Sequence, residues 1–205
     1  MIAYSKEEIE KLAHISKINL VNSATGYKPA NLIGTKSKNG TSNLAIFSSI
    51  THYGSSPAIY GFVMRPTTVA RHTYDNIKET GVFTINSISV NDVVDAHHTS
   101  AKYPKEVSEF EMTKFTEQYR DEFYAPFVTN APIQLAMKFV KEYAIEINDT
   151  ILLLGEVQTI YIRESIIEED LFINLGKAKI AAINGLDGYV IPKNHQRLPY
   201  QRPKS

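Results

Sequence analysis

Past a short N-terminal stretch, apolar and polar residues of this chain follow a period of two more often than a helical period, which is the signature of half-buried strands. Ser5-Lys6-Glu7-Glu8 has the capping-box pattern, with Ile9 and Leu12 at helical spacing, so a short helix opens the chain. Ile18-Asn19-Leu20 then alternates. Residues 31–37 and 42–50 flank Lys38-Asn39-Gly40, and Asn-Gly predicts a hairpin between two strands. A strand over 58–64, a short helix over 74–79 stopped by Gly81, a strand over 82–86 and a short helix over 90–98 follow. Residues 133–147 and 151–162 form a long strand pair turning at Asn148-Asp149, with Phe139, Tyr143, Ile145 and Ile147 in alternation. A last helical turn is expected around residues 168–172.

Many antiparallel strands with few helices between them predict a mainly β fold with helical insertions, a barrel or sandwich, not a parallel α/β sheet. Residues 100–126 break the pattern. They are charged and aromatic (Tyr103, Phe110, Phe115, Tyr119, Phe123, Tyr124) without clean periodicity, and they form a long excursion between barrel strands. Such loops are often binding segments on a rigid scaffold, so the excursion is expected to border the functional cavity, with His97 or His98 at its root. An ordinary surface excursion packed by its own aromatic residues is the competing reading.

Composition narrows the chemistry. The 205 residues suit a single domain and carry 22 basic and 22 acidic side chains, for zero formal net charge. A nucleic-acid binder or membrane-surface protein would be basic, so neither partner is expected. The chain has no cysteine, which removes disulfides, thiol relays, iron–sulfur clusters and cysteine-ligated zinc. If it moves electrons, an organic cofactor carries them. The N-terminus lacks the apolar core of a signal peptide, and Ile151-Leu152-Leu153-Leu154 is too short to cross a bilayer, so a soluble cytoplasmic protein is expected.

The segment Arg65-Pro66-Thr67-Thr68-Val69-Ala70-Arg71-His72-Thr73 holds two guanidinium groups and several hydroxyls directly before a helix start. A phosphate monoester suits all three features: arginine pairs with its oxygens, hydroxyls donate to them, and the N–H groups at a helix start face the charge. On its own the segment suits a solvated basic loop equally.

Upstream residues decide between them. The hairpin over 34–50, with Asn43-Leu44-Ala45-x-Phe47-Ser48-Ser49, resembles the FMN-binding split barrel of the flavin reductase-like family. The resemblance continues through Pro57, through Arg71-His72-Thr73-Tyr74-Asp75-Asn76 to Gly81, and through Phe83-Thr84-Ile85-Asn86. It reaches His98-Thr99-Ser100-Ala101-x-Tyr103-Pro104, Glu109-Phe110, Ala131-Pro132 and Leu186-Asp187-Gly188-Tyr189. It spans a barrel of about residues 15–192, with a tail over 193–205. The resemblance implies an FMN-dependent oxidoreductase of the NAD(P)H:flavin reductase type, passing electrons from a nicotinamide nucleotide through FMN to an unknown acceptor, and a homodimer. A non-catalytic or partner-dependent FMN carrier would share the same cofactor residues, and a β-barrel interaction module would need no cofactor at all.

By the same resemblance Asn43, Leu44, Ala45, Ser48 and Ser49 fall to the flavin ring and ribityl chain, and Arg65, Arg71, His72 and Thr73 to the phosphate. Ile46 stands where many relatives carry proline. Some relatives contact the nicotinamide nucleotide through a late Gly-Asp-His; here the region reads Ile183-Asn184-Gly185-Leu186-Asp187-Gly188-Tyr189. There is no Gly-x-Gly-x-x-Gly for a Rossmann domain. Adjacent His97 and His98 point about 100° apart on a helix and share no metal ion easily, so no metal site is expected. The glutamates over 164–169 read as a solvated turn. The tail, with Lys193, Arg197, Arg202, Lys204 and prolines, is expected to wrap a partner subunit or to fray.

Overall fold

The computed structural model describes residues 1–192 and 196–203. Ser5 caps α1 (Lys6–Lys11) in both directions: its N–H donates to Glu8 Oε2 at 2.6 Å, and its hydroxyl accepts from the Glu8 N–H at 3.2 Å. The next segment corrects the sequence reading. Ile18-Asn19-Leu20 lies inside a second helix, α2 (His14–Ser23), which starts with Lys17 N–H donating to Ala13 O at 2.9 Å. Among the described residues no strand pairs with it, and local helical bonds satisfy its backbone. Neither α1 nor α2 buries a single residue.

Twelve strands follow: β1 (Lys28–Pro29), β2 (Asn31–Lys36), β3 (Ser42–Phe47), β4 (Thr51–Ser55), β5 (Ala58–Met64), β6 (Val82–Ser87), β7 (Glu117–Gln118), β8 (Phe127–Val128), β9 (Ile133–Ile145), β10 (Thr150–Ile162), β11 (Ala182–Asn184) and β12 (Gly188–Val190). Helix α3 (His72–Thr80) precedes β6, and a 3-10 turn with α4 (Val93–His98) follows it. The helical turn expected over 168–172 lies earlier, as a 3-10 turn at Glu164–Ile166.

Seven strands form one antiparallel sheet in the order β3-β2-β6-β9-β10-β5-β4. Two register shifts in the β9–β10 pair, at Leu154/Gly155 and Val157/Thr159, bend it into a barrel. Gly155 permits the bend: a Cβ there would stand 2.6 Å from the Phe83 ring. The barrel stays split, because β3 and β4 are both sheet edges. A side chain spans the gap. Ser49 Oγ, just past β3, accepts the Val63 N–H of β5 at 3.0 Å and donates to its C=O at 3.3 Å.

Ile33, Phe62, Ile77, Phe83, Met137 and Leu153 fill the interior, with Phe62 edge-on to Phe47 and Phe83 at 5.0 and 5.7 Å. Each such side chain contributes about 1.5–3 kcal/mol on burial. The opposite face of β2 and β3 would leave Leu32 and Leu44 in water. Residues 100–126 cover it, placing Phe110 and Phe115 against them. Side chains fasten this cover to the β3 edge: Ser42 Oγ meets Ser108 Oγ at 2.8 Å and also Glu117, and Tyr124 donates to Ser37 O at 2.7 Å. The excursion is thus largely a second core layer that shields an open strand edge.

The described tail meets its own chain at Arg197. Arg197 pairs with Glu168 at 3.2 Å and Asp170 at 2.5 Å, and stacks 4.1 Å over Phe172, all within its own chain. Glu168 therefore belongs to a clasp rather than a solvated turn. Lys193, His195 and Lys204 lie outside the described residues. Among the described residues no helix is long and apolar enough to cross a membrane.

Candidate functional site

A cleft of about 1010 Å³ opens beside the β3 edge, between the end of β3, the start of α3 and the β11–β12 hairpin. Asn43, Ala45, Ser48, Ser49, Arg65, Arg71, His72 and Thr73 all line it. The structure therefore gathers eight of the nine residues singled out in the sequence. Leu44 is the one that does not line it. Alternation turns its side chain to the other face of β3, where it is fully buried beneath the excursion.

The phosphate-type end is built on α3. Its helix begins at His72, two residues before the expected start, so Arg71 occupies the N-cap. Arg71 offers no side-chain acceptor to the first turn, which leaves N–H groups at the helix start for an incoming oxyanion. Its Nε donates to Pro66 O at 3.2 Å, which fixes the guanidinium and leaves both Nη groups open. Neither Arg65 nor Arg71 has a carboxylate in ion-pair distance among the described residues. Asn43 ties strand to helix, its amide donating to Thr73 Oγ1 at 3.0 Å. Behind it, Asn76 Nδ2 donates to Thr35 Oγ1 at 3.1 Å. Thr73 keeps its own O–H to give.

The ring-type segment is shaped by the edge position of β3. In an antiparallel pair, alternate residues turn both backbone groups away from the neighbouring strand. Leu44 is such a residue, since its N–H donates to Glu109 Oε2 at 2.9 Å, so Ser42 and Ile46 share that outward edge. Ile46 also lines the cleft. Ser49 lines it too, with its hydroxyl engaged by Val63. Ala45 contributes only a methyl group, so the floor stays open.

The far wall comes from Lys28, Lys102, Tyr103, Gly185, Leu186 and Tyr189, none of which the sequence motifs mark as ligands. His97 faces the cleft with Nδ1 3.1 Å from the Tyr189 hydroxyl and its ring edge-on at 5.7 Å. His98 does not line it and instead meets the Tyr103 hydroxyl at 2.6 Å. Of the excursion, Ser100 to Tyr103 and Glu109 reach the cleft, and the rest covers β3. No group of three histidine, aspartate or glutamate side chains converges as a metal would require among the described residues.

Glu109 is the sole acid in the cleft wall, at 5% exposure. Burial pushes its carboxyl above the ordinary glutamate range, opposed by the Leu44 N–H, its own N–H and the neighbouring His72. In the sequence Glu109 stands only within the Glu109-Phe110 motif; an acid directly before Phe110 in a covering segment is the available signal. A raised carboxyl pKa favours the folded state below the ordinary glutamate pKa of 4.5, and that contribution is lost as pH rises through the folded value. Glu109→Gln keeps an acceptor for Leu44 and removes the charge. Its melting temperature should therefore exceed that of the parent at neutral pH and converge with it in acid. Parallel curves from pH 4 to 8 would show that Glu109 is not the titrating group.

Comparison with known proteins matches the same architecture. Residues 27–180 match the model of the flavin reductase like domain. A split barrel domain protein and candidate flavin reductase from Shewanella frigidimarina NCIMB 400 is 39% identical, with a TM-score of 0.94 over 98% of this chain and 100% of that one. Nitrilotriacetate monooxygenase component B from Bacillus cereus shares the fold at 19% identity, with a TM-score of 0.84 over 97% and 98% of the two chains. Flavoredoxin of Desulfovibrio vulgaris (Miyazaki F) does so at 20% identity, with a TM-score of 0.74 over 85% and 91%. With its family model spanning most of the strands and the excursion, the chain belongs to the flavin reductase-like family of split-barrel, flavin-related oxidoreductases.

Proposed function

We propose that the cleft holds FMN and that the protein is an NAD(P)H-dependent flavin oxidoreductase. One observation carries this reading: two arginines without carboxylate partners stand beside an uncapped helix start at one end of a cleft large enough for a flavin. FMN, when bound, supplies a hydride acceptor at N5 and a route for electrons onward to an acceptor. The chain's own part is binding and orientation. Arg65, Arg71, Thr73 and the first N–H groups of α3 hold the phosphate, and His72 stands beside them. Asn43 fixes Thr73, while Ala45 and the outward backbone of Ile46 lie along the ring. Ser48 is left for the ribityl chain. Tyr103, Tyr189 and His97 form an opposing aromatic wall against which a nicotinamide can stack and from which water is displaced.

Steady-state oxidation of NADH and NADPH with added FMN tests this. Turnover that depends on flavin is the expected result. A second reading has its own observation: Gly185-Leu186, which with Asp187-Gly188 stands in place of the Gly-Asp-His of some relatives, lines the wall beside Tyr189. A partner-dependent FMN carrier would bind flavin tightly and oxidise neither nucleotide.

The protein is also proposed to be a homodimer. Helices α1 and α2 have no fully buried residue, and together with the segment ahead of α1 they present Ile2, Tyr4, Ile15 and Val21 to solvent. A second copy is the natural cover for such a face. Sedimentation at micromolar concentration should give twice 23.1 kDa, and a stable particle of 23.1 kDa would refute it.

A further inference from the structure

The chain has six arginines. Among the described arginines Arg197 alone is ion-paired, and Arg202 lies in the exposed tail. The other four fall into two pairs, each pair lining one cavity. Arg65 and Arg71 belong to the cleft described above. Arg120 and Arg163 line a second cavity of about 500 Å³ that shares no residue with the first. Tyr161, in its wall, lies ten residues along β10 from Ile151, which pairs with Met64 beside Arg65. That is roughly 30 Å of strand.

This second cavity is built around Arg120. Its Nε donates to Gln134 Oε1 at 2.9 Å, its Nη2 donates to Gln118 Oε1 at 3.1 Å, and its face lies 4.9 Å over the Tyr161 ring. Gln134 is 2% exposed and is itself anchored by donating to Val128 O at 2.6 Å. A cation held by two neutral amides and a ring has a fixed orientation and uncompensated charge. Three of its five N–H donors remain free. Arg163 is fixed more lightly, donating from Nη2 to Asn130 O at 3.0 Å. No acid lines the cavity; Asp121, just outside it, is engaged by the Tyr161 hydroxyl. The remaining wall is apolar, from Ala131, Pro132, Ile160 and Ile162, and Ile160 is half exposed there.

We infer that this second cavity binds a small organic carboxylate, with the carboxylate on the free guanidinium edges of Arg120 and Arg163 and the apolar body on Ala131, Pro132 and Ile160. The planar fork of arginine matches a carboxylate bidentately, and the apolar wall favours an organic acid over inorganic phosphate. The site is independent of the flavin reading, because it uses none of those residues.

Calorimetric titration of the purified protein with benzoate, before and after saturation with FMN, tests the inference. Saturable binding is expected in about the millimolar range, weakened about ten-fold or more in Arg163→Gln and unaffected by FMN. Ile160→Asn should weaken benzoate and leave the weaker binding of inorganic phosphate unchanged, which supplies a second variant at an exposed position. Three results would overturn the inference: no saturation by about 50 mM benzoate, equal affinity in a folded Arg163→Gln protein, or displacement of benzoate by FMN.

Discussion

Replacing Arg71 by alanine should lower FMN affinity about ten- to a hundred-fold while riboflavin affinity stays unchanged. A charge-assisted hydrogen bond to a phosphate contributes roughly 1.5–3 kcal/mol, which corresponds to that range. Riboflavin is the control because it has the same ring and ribityl chain without the phosphate. Arg71 also donates to Pro66 O, so the substitution could loosen the loop ahead of α3. A loosened loop would weaken both ligands together. Fluorescence titration of the two flavins separates the cases, and equal losses for both would remove Arg71 from the phosphate end.

The largest expected effect on stability comes from a residue outside the cleft. Gly34 lies in β2 between β3 and β6, and a Cβ there would stand 2.2 Å from Pro126 O and 2.6 Å from Thr84 Oγ1. The obstacle is a backbone carbonyl that also accepts from Thr84 Oγ1 at 2.6 Å, so it has little freedom to retreat. Gly34→Ala must push the end of the excursion away from the sheet. Overpacking of this kind costs about 1–3 kcal/mol, or roughly 2–12 °C in melting temperature for a chain of this size. Thermal unfolding of the variant checks it, and a melting temperature within a degree of the parent would mean that the excursion is not seated on β2.

Local signals in the sequence carried much of this fold. Asn39-Gly40 marked a hairpin whose Gly40 has φ +93°, and Gly81, at φ +75°, stopped α3. The long β9–β10 pair was legible from its period and the turn at Asn148-Asp149. What stayed hidden depended on contacts distant in sequence. Ile18-Asn19-Leu20 suits either period locally, and only the lack of a partner strand makes it helical. A continuous motif from Asn43 to Ser49 does not reveal which face of its strand meets the cleft; Leu44, on the opposite face by alternation, lies beneath the excursion. Glu109 meets Leu44 across 65 residues, and no local spacing anticipates that bond. The arginines were visible, but their lack of acids could be seen only once the chain was folded.

The proposed function requires that the cleft between β3, α3 and the β11–β12 hairpin hold a flavin that a nicotinamide nucleotide can reduce. The most direct measurement is the visible absorption of the protein equilibrated with FMN, freed of unbound flavin, and then mixed with NADH or NADPH without oxygen. The flavin bands should be retained with the protein and bleached by one of the two nucleotides. A colourless protein after removal of free FMN, together with no binding in an equilibrium titration, would contradict the account.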